Sequence, residues 1–240
     1  MNLVPLEAQL LILAVLFYIY DSSVLLFSNE GVITPSWKNW SAQTNLKGLV
    51  LLRKRLFIPN LLLPHRPVFR LHWQPESLSQ AASVEWQKEK SLYGWFGLPA
   101  YGMALALFVI TPITYCFFRS DPALLACLAL IYLIPIGAGM LLYRHQKPLG
   151  VSTKNAWSLF LECLLCPPFT INIVRKLSLA RRLQANFVDS AFQLVDAAQW
   201  ERVQAELIAC MDAEIDAADS KDSSARWVAS KNRLQGMQKQ

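Results

Sequence analysis

Two stretches of this chain carry no charged side chain, residues 91–118 and 122–143. Each exceeds the roughly 20 residues that an α-helix needs to cross about 30 Å of hydrocarbon at about 1.5 Å per residue. Only RSDP separates them, with Arg119 and Asp121 as its charges. So short a break between two such runs implies an antiparallel helical hairpin. Tyr93, Trp95 and Phe96 at one end, with Phe117, Phe118 and Tyr143 at other boundaries, read as interfacial aromatics. Composition agrees: 54% of the 240 residues are hydrophobic, 17% are charged, and the mean hydropathy is +0.28. These are the proportions of a membrane protein rather than a soluble globule.

A weaker apolar run covers residues 3–20, with Glu7 and Gln9 in its first turns and Asp21 closing it. Beside the hairpin it reads as a third crossing, Glu7 at one headgroup layer and Asp21 at the other. It lacks the positive n-region and the cleavage site of a signal peptide, so it is expected to be retained. The distribution of cations then orients the chain. Lys38, Lys47, Arg53, Lys54, Arg55, Arg66, Arg70, Lys88 and Lys90 fall between the first run and the hairpin. Arg144, Lys147, Lys154, Arg175, Lys176, Arg181 and Arg182 follow it, whereas the tip has Arg119 alone. The positive-inside bias puts the N-terminus and the tip outside and both basic regions in the cytoplasm. A bacterial cytoplasmic membrane is the expected location. The net charge of +6 is explained by these flanking cations, and no nucleic-acid signature accompanies them, so no nucleic acid is expected.

Residues 49–73, LVLLRKRLFIPNLLLPHRPVFRLHW, are rich in leucine but do not span. Each cation at bilayer depth would cost about 2.5–3.5 kcal/mol, and Pro59, Pro64 and Pro67 would break a helix. Phe69, Leu71 and Trp73 alternate with Arg70 and His72, the period of a half-buried strand. SVLLF (23–27), GVIT (31–34) and KGLVLL (47–52) also resemble short strands, separated by turn residues. A small β-rich insertion is expected, its proline-rich later part being edge strand or extended chain. Residues 76–92 read as a short helix leading into the hairpin.

Residues 157–174 are apolar enough to suggest a further crossing, but Glu162 would sit in lipid and Pro167–Pro168 would interrupt it. A crossing would also export Arg175, Lys176, Arg181 and Arg182. A re-entrant or in-plane segment fits better. Phe169, Ile173, Leu177 and Ala180 recur at helical spacing opposite those four cations, the pattern of a helix on an anionic membrane surface. An ordinary buried helix is the competing reading. Two apolar stripes follow, Leu183, Phe187, Ala191 and Leu194, then Trp200, Val203, Leu207, Met211 and Ile215, with VDAAQ between them as a turn. The last residues have little apolar content and read as disordered.

Few groups suggest chemistry. Cys163-Leu-Leu-Cys166 has CxxC spacing, but no second pair and no nearby histidine completes a metal set; two packed apolar thiols are the simpler reading. The odd count of five cysteines argues against a secreted disulfide framework. His65, Arg66, Arg70 and His72 together would suit a phosphate, a lipid headgroup or a partner. Glu162 is a carboxylate in an apolar helix and calls for a cationic partner or another subunit. Ala100, Gly102, Ala104 and Ala106, then Gly137, Ala138 and Gly139, permit close helix packing. The sequon Asn39-Trp40-Ser41 would be silent in the cytoplasm.

The expected protein is an α+β polytopic membrane protein with three transmembrane helices. Its parts are a first transmembrane helix (1–21), a cytoplasmic β-rich insertion and linker helix (22–92), and the transmembrane hairpin (93–144). A membrane-surface or re-entrant segment (145–182), a cytoplasmic helical region (183–217) and a disordered tail (218–240) complete it. Neither metal nor cofactor is implied. The expected function is a non-enzymatic membrane subunit that scaffolds, anchors or regulates an assembly, with anionic lipid headgroups and other protein subunits as partners. The competing functions are a membrane enzyme acting on headgroups or thiols, and a small channel or transporter subunit.

Overall fold

The computed structural model describes residues 6–27, 29–37, 39–44, 50–51, 54–73, 84–118, 120–181, 183–216 and 221–237. Helix dominates, with a small β region. The chain divides into two compact units, each assembled from separated pieces. One holds Met1–Ser23, Ile58–Pro67 and Trp86–Arg181; the other holds Val24–Phe57, Val68–Glu85 and Arg182–Gln240. The consecutive blocks expected from sequence are thus interleaved. Residues 22–92 do not form a unit of their own, because the strands share one with the C-terminal helices that cover them.

The first unit begins with α1 (Leu6–Ser22). Next in it comes α2 (Trp86–Ser91), then a 3-10 turn at Gly94–Phe96, then α3 (Gly97–Leu105). Two wide π turns, Ala106–Ile110 and Thr114–Phe118, flank α4 (Thr111–Ile113). Pro112, in α4, cannot donate to the helix ladder, and the Ala106 carbonyl accepts both Thr111 N–H and, at 2.8 Å, the Thr111 hydroxyl. α5 (Asp121–Leu149) starts behind extended Ser120, with Pro122 in the first turn where a missing N–H is tolerated. It ends at Gly150, whose φ of 65° is the left-handed cap that glycine adopts most readily. α6 (Thr153–Leu165) is capped by the Ser152 hydroxyl on Asn155 N, and stops at Cys166 before the Pro167–Asn172 3-10 turn and α7 (Ile173–Ala180).

Two helices, Trp86–Phe118 and Asp121–Leu149, are long and apolar enough to cross a bilayer. Only 17% of the most apolar stretch of Asp121–Leu149 is buried, whereas a soluble core helix would bury its apolar stripe. Leu98, Leu105, Leu125, Leu133 and Met140 all stand exposed. α1 is shorter, so two candidate spans, and not three, are established by length among the described residues. Two of the supposed interfacial aromatics, Tyr93 and Phe96, are instead fully buried; Trp95, Phe117, Phe118 and Tyr143 are exposed. Inside the unit, Tyr18, Met103 and Ile171 form a core backed by Leu107, Phe108 and Ile134.

The second unit carries two three-stranded antiparallel sheets. One has β1 (Val24–Leu26), β4 (Val50–Leu51) and β5 (Lys54–Phe57) in the order β1-β5-β4. The other has β2 (Glu30–Pro35), β3 (Trp40–Gln43) and β6 (Phe69–His72) in the order β3-β2-β6. β6 is an edge strand, reached after the prolines; Phe69, Leu71 and Trp73 point inward while Arg70 and His72 face out. That apolar face is covered by α8 (Phe187–Leu194) and α9 (Ala197–Asp216). A Cβ on Gly31 would lie 2.4 Å from the Phe187 ring, so the missing side chain is what lets that ring rest on β2. Asn186 caps α8 on Val188 N and Asp196 caps α9 on Gln199 N, which gives VDAAQ its turn.

The expected disordered tail is corrected in part. α10 (Lys221–Gln235) packs along α9 and buries Leu234 completely. Trp200 Nε1 donates to the Met237 carbonyl at 3.0 Å, and Gln204 Nε2 to the Leu234 carbonyl at 2.6 Å. One well-placed leucine and two backbone acceptors offset the low apolar content.

Candidate functional site

A network of buried polar groups lies where α1 ends. Arg175, on α7, is only 3% exposed. Its Nη1 donates to Asn172 Oδ1 at 2.9 Å and to Ser22 Oγ at 3.2 Å, and its Nη2 to the carbonyls of Asn60 and, at 3.4 Å, Leu63. Burial holds its pKa below the usual value, with Tyr18 and Asp21 partly opposing that. Asn172 Nδ2 donates to Asp21 Oδ2 at 3.0 Å, and the Tyr18 hydroxyl donates to the Leu61 carbonyl. The cost of burying this guanidinium is offset by the hydrogen bonds of Nη1 and Nη2, although Nε has no partner among the described residues. The arrangement binds α1, the Ile58–Pro67 segment and α7 together; nothing in it offers the cation to a surface.

Arg175 was expected on a membrane-facing basic surface, and it is not on any surface. The helical spacing is correct, but its side chain turns inward to the Asn60 and Leu63 carbonyls. Lys176 is nearer the outside and bridges Asp21 at 2.8 Å and Glu162 at 3.2 Å, 4.2 Å from the centre of the Phe169 ring. Burial would lower its pKa, yet the two carboxylates outweigh that and raise it. Glu162 therefore has its cationic partner within the chain. Arg181 is held on Glu89 through Nε at 2.5 Å and Nη2 at 2.7 Å, and Nη1 donates to the Pro148 carbonyl at 3.1 Å. Arg182 lies outside the described residues.

His65, Arg66, Arg70 and His72 do not form one cluster. The first pair belongs to one compact unit and the second pair to the other. His65 Nδ1 is 2.5 Å from the Tyr101 hydroxyl, with the two rings stacked; burial, then Arg66 and Arg175, lower its pKa. Arg66 sits in a turn closed by its own N–H on the Leu63 carbonyl. Arg70 and His72 both address Glu30, at 2.5 and 3.3 Å. Glu30 is fully buried and its other oxygen accepts from Phe27 N at 2.9 Å. Arg70 and His72 on the strand face thus address a carboxylate of their own sheet.

The cysteines are free thiols. Burial pushes Cys163 up to about 11, and burial also raises the half-buried Cys166. Thiols held this way are poor nucleophiles at neutral pH. No group of three or more His, Cys, Asp or Glu suited to a metal occurs among the described residues. Asn60, Asn172 and Glu89 were missed by sequence reasoning. Asn172 alone left a trace, as the amide inside TINIV.

Compared with protein-family models, with curated proteins and with solved structures, the chain matches none.

Proposed function

We propose that the chain is a non-enzymatic integral membrane subunit that anchors or scaffolds a larger assembly. The observation that carries this reading is the exposed apolar surface of Trp86–Phe118 and Asp121–Leu149, set beside charged groups that are paired within the chain. Arg70, His72, Arg175, Lys176, Arg181 and Glu162 each have an internal partner, which suits structural work better than turnover.

On this reading α1 is a third, shorter crossing, the N-terminus and the Arg119 tip face outward, and residues 28–96 and the C-terminal region face the cytoplasm. α6, the Pro167–Asn172 turn and α7 form a re-entrant or in-plane segment at the inner side. The strands with α8–α10 are the part that meets a protein partner. Trp37, 86% exposed in the β2–β3 turn, is a natural place to look.

A photo-reactive residue at Trp37, irradiated in cells, is expected to give one discrete crosslinked adduct from the membrane fraction. The same residue at exposed Trp95, beside α3, is expected to give a different pattern. Crosslinking at Trp37 no greater than that of a soluble control, with the chain normally inserted, would contradict the scaffold reading.

A further inference from the structure

α5 and α6 turn on each other at Gly150–Ser152 and run antiparallel from there. Gly139 fixes their register, since a Cβ there would lie 2.2 Å from the Phe160 ring. Tyr143 stands four residues nearer the turn than Gly139, and Trp157 three residues nearer than Phe160. At about 1.5 Å per residue those steps are about 6 and about 4.5 Å, so Tyr143 and Trp157 share a level. Both border one cavity between the helices. α6 is thus held along α5, and whatever inclination α5 has to a bilayer, α6 shares.

α6 buries Ala156, Leu159 and Cys163 on one side and exposes Trp157, Leu161 and Leu165 on the opposite side. Counted from the turn, the exposed strip reads Lys154, Trp157, Leu161, Leu165: a cation, an interfacial aromatic, then two leucines, the last of them 83% exposed. α5 has the same order from the same turn, with Lys147 and Arg144, then Tyr143, Met140 and Leu133, all exposed. A helix lying in the surface grades its polarity around its circumference, whereas one that enters hydrocarbon grades it along its axis. The gradient of α6 is axial. Ser158 and Glu162 are the exceptions, on the flank of the strip. Glu162 accepts from Ser158 Oγ at 3.5 Å and is bridged by Lys176 at 3.2 Å, the pairing that a charge at depth requires.

The chain then reverses inside its own unit. Pro167 and Pro168 bring no N–H to the turn, and Thr170, Ile171 and Asn172 are buried, Ile171 in one core with Tyr18 and Met103. Non-helical backbone at bilayer depth is tolerated where protein covers it in this way. α7 leads back: Arg181, directly after it, donates to the Pro148 carbonyl at 3.1 Å, beside the end of α5.

We propose that residues 153–180 are a re-entrant loop and not an in-plane one, and that Trp157, Leu161 and Leu165 form a surface for the acyl chains of the leaflet on the Gly150 side. Leu165 lies eight residues past Trp157, about 12 Å deeper, against about 15 Å for half of the hydrocarbon core. The loop rests on the reading of α5 as a membrane span, and it commits the outer strip of α6 to lipid rather than to a protein partner.

The test is nitroxide depth measurement on the full chain in phospholipid vesicles, with native cysteines replaced and single labels at Tyr143→Cys, Leu133→Cys, Trp157→Cys, Leu161→Cys and Leu165→Cys. Collision with oxygen, which concentrates in hydrocarbon, is expected to rise in the order 157, 161, 165, and collision with a water-soluble nickel chelate to fall in that order. Position 165 is expected to match 133 in depth, and 157 to match 143, each within about 3 Å, or two residues of helix. One shallow depth shared by 157, 161 and 165, with 133 deep, is the in-plane result and overturns the loop while leaving the span. Shielding of 165 from both collision partners assigns the strip to a protein and also overturns it. Access of the nickel chelate to both 133 and 165 overturns the loop and the membrane reading together. Because Cys163 is buried, its replacement also challenges folding, so a photo-reactive residue at 165 or 133 in the otherwise native chain is measured alongside. Phospholipid adducts are expected at both positions, and adducts at 133 without any at 165 overturn the loop.

Discussion

Asn172 Nδ2 donates to Asp21 Oδ2 at 3.0 Å across 151 residues of sequence. This contact joins the end of the first helix to the turn that follows Pro167–Pro168. The same amide accepts from buried Arg175 through Oδ1, so one side chain serves a carboxylate and a guanidinium at once. Stability of the first unit should depend on it.

Asn172→Leu removes both contacts and leaves Arg175 with fewer acceptors in a buried setting. The expected loss is about 3 kcal/mol, in the range for breaking buried charged hydrogen bonds. Lys154→Gln, at an exposed position, is expected to change stability by less than about 0.5 kcal/mol. Thermal unfolding of the purified chain in detergent measures both, and equal effects would contradict the assignment.

In the second unit, Glu30 Oε1 accepts from Arg70 and lies 3.3 Å from His72 Nδ1. Glu30→Gln, Arg70→Gln and the double variant form a cycle whose coupling is expected to be about 1–3 kcal/mol, because the carboxylate is buried. Denaturant unfolding of the three variants checks it. Additive losses would mean that Arg70 works through solvent and not through Glu30.

His65 gives a pH dependence with a defined sign. Its folded-state pKa lies below the usual 6.5, so the unfolded chain binds the proton more readily. The contribution of His65 is complete above about pH 6.5 and is lost as pH falls through that value toward the depressed one. The melting temperature is expected to drop on acidification from about pH 7.5 to about 5, by less in His65→Gln than in the native chain. An identical pH profile in the two would remove His65 from the account.

Leu234 of α10 is wholly buried although it stands in a polar stretch. Leu234→Ala is expected to cost about 2–4 kcal/mol, as for other buried leucines, and to increase proteolysis after residue 220. A neutral result would return residues 221–237 to the status of a tail.

How much of this was legible in the sequence differs by element. The hairpin helices were plain, because an uncharged run depends on nothing outside itself. The edge strand Phe69–His72 was equally readable from its alternation. α10 was not: SKDSSARWVASKNRLQ has few apolar residues, and its helix depends on Trp200 and Gln204 of α9 reaching its carbonyls. Arg175 was misplaced for a related reason. Periodicity assigns a charge to the polar face, but the acceptors that draw it inside come from the distant Asn60–Leu63 turn. The group His65, Arg66, Arg70 and His72 looked like one site because only six residues lie between its ends, yet a turn at the prolines sends its halves to different units.

The central claim is that Trp86–Phe118 and Asp121–Leu149 cross the membrane with their connection outside. In a chain whose native cysteines are replaced, Ser120→Cys and Ser36→Cys can each be challenged with a membrane-impermeant maleimide on intact cells. The account predicts labelling at position 120 in intact cells and at position 36 only after the membrane is opened. Labelling of both positions from the same side would contradict it.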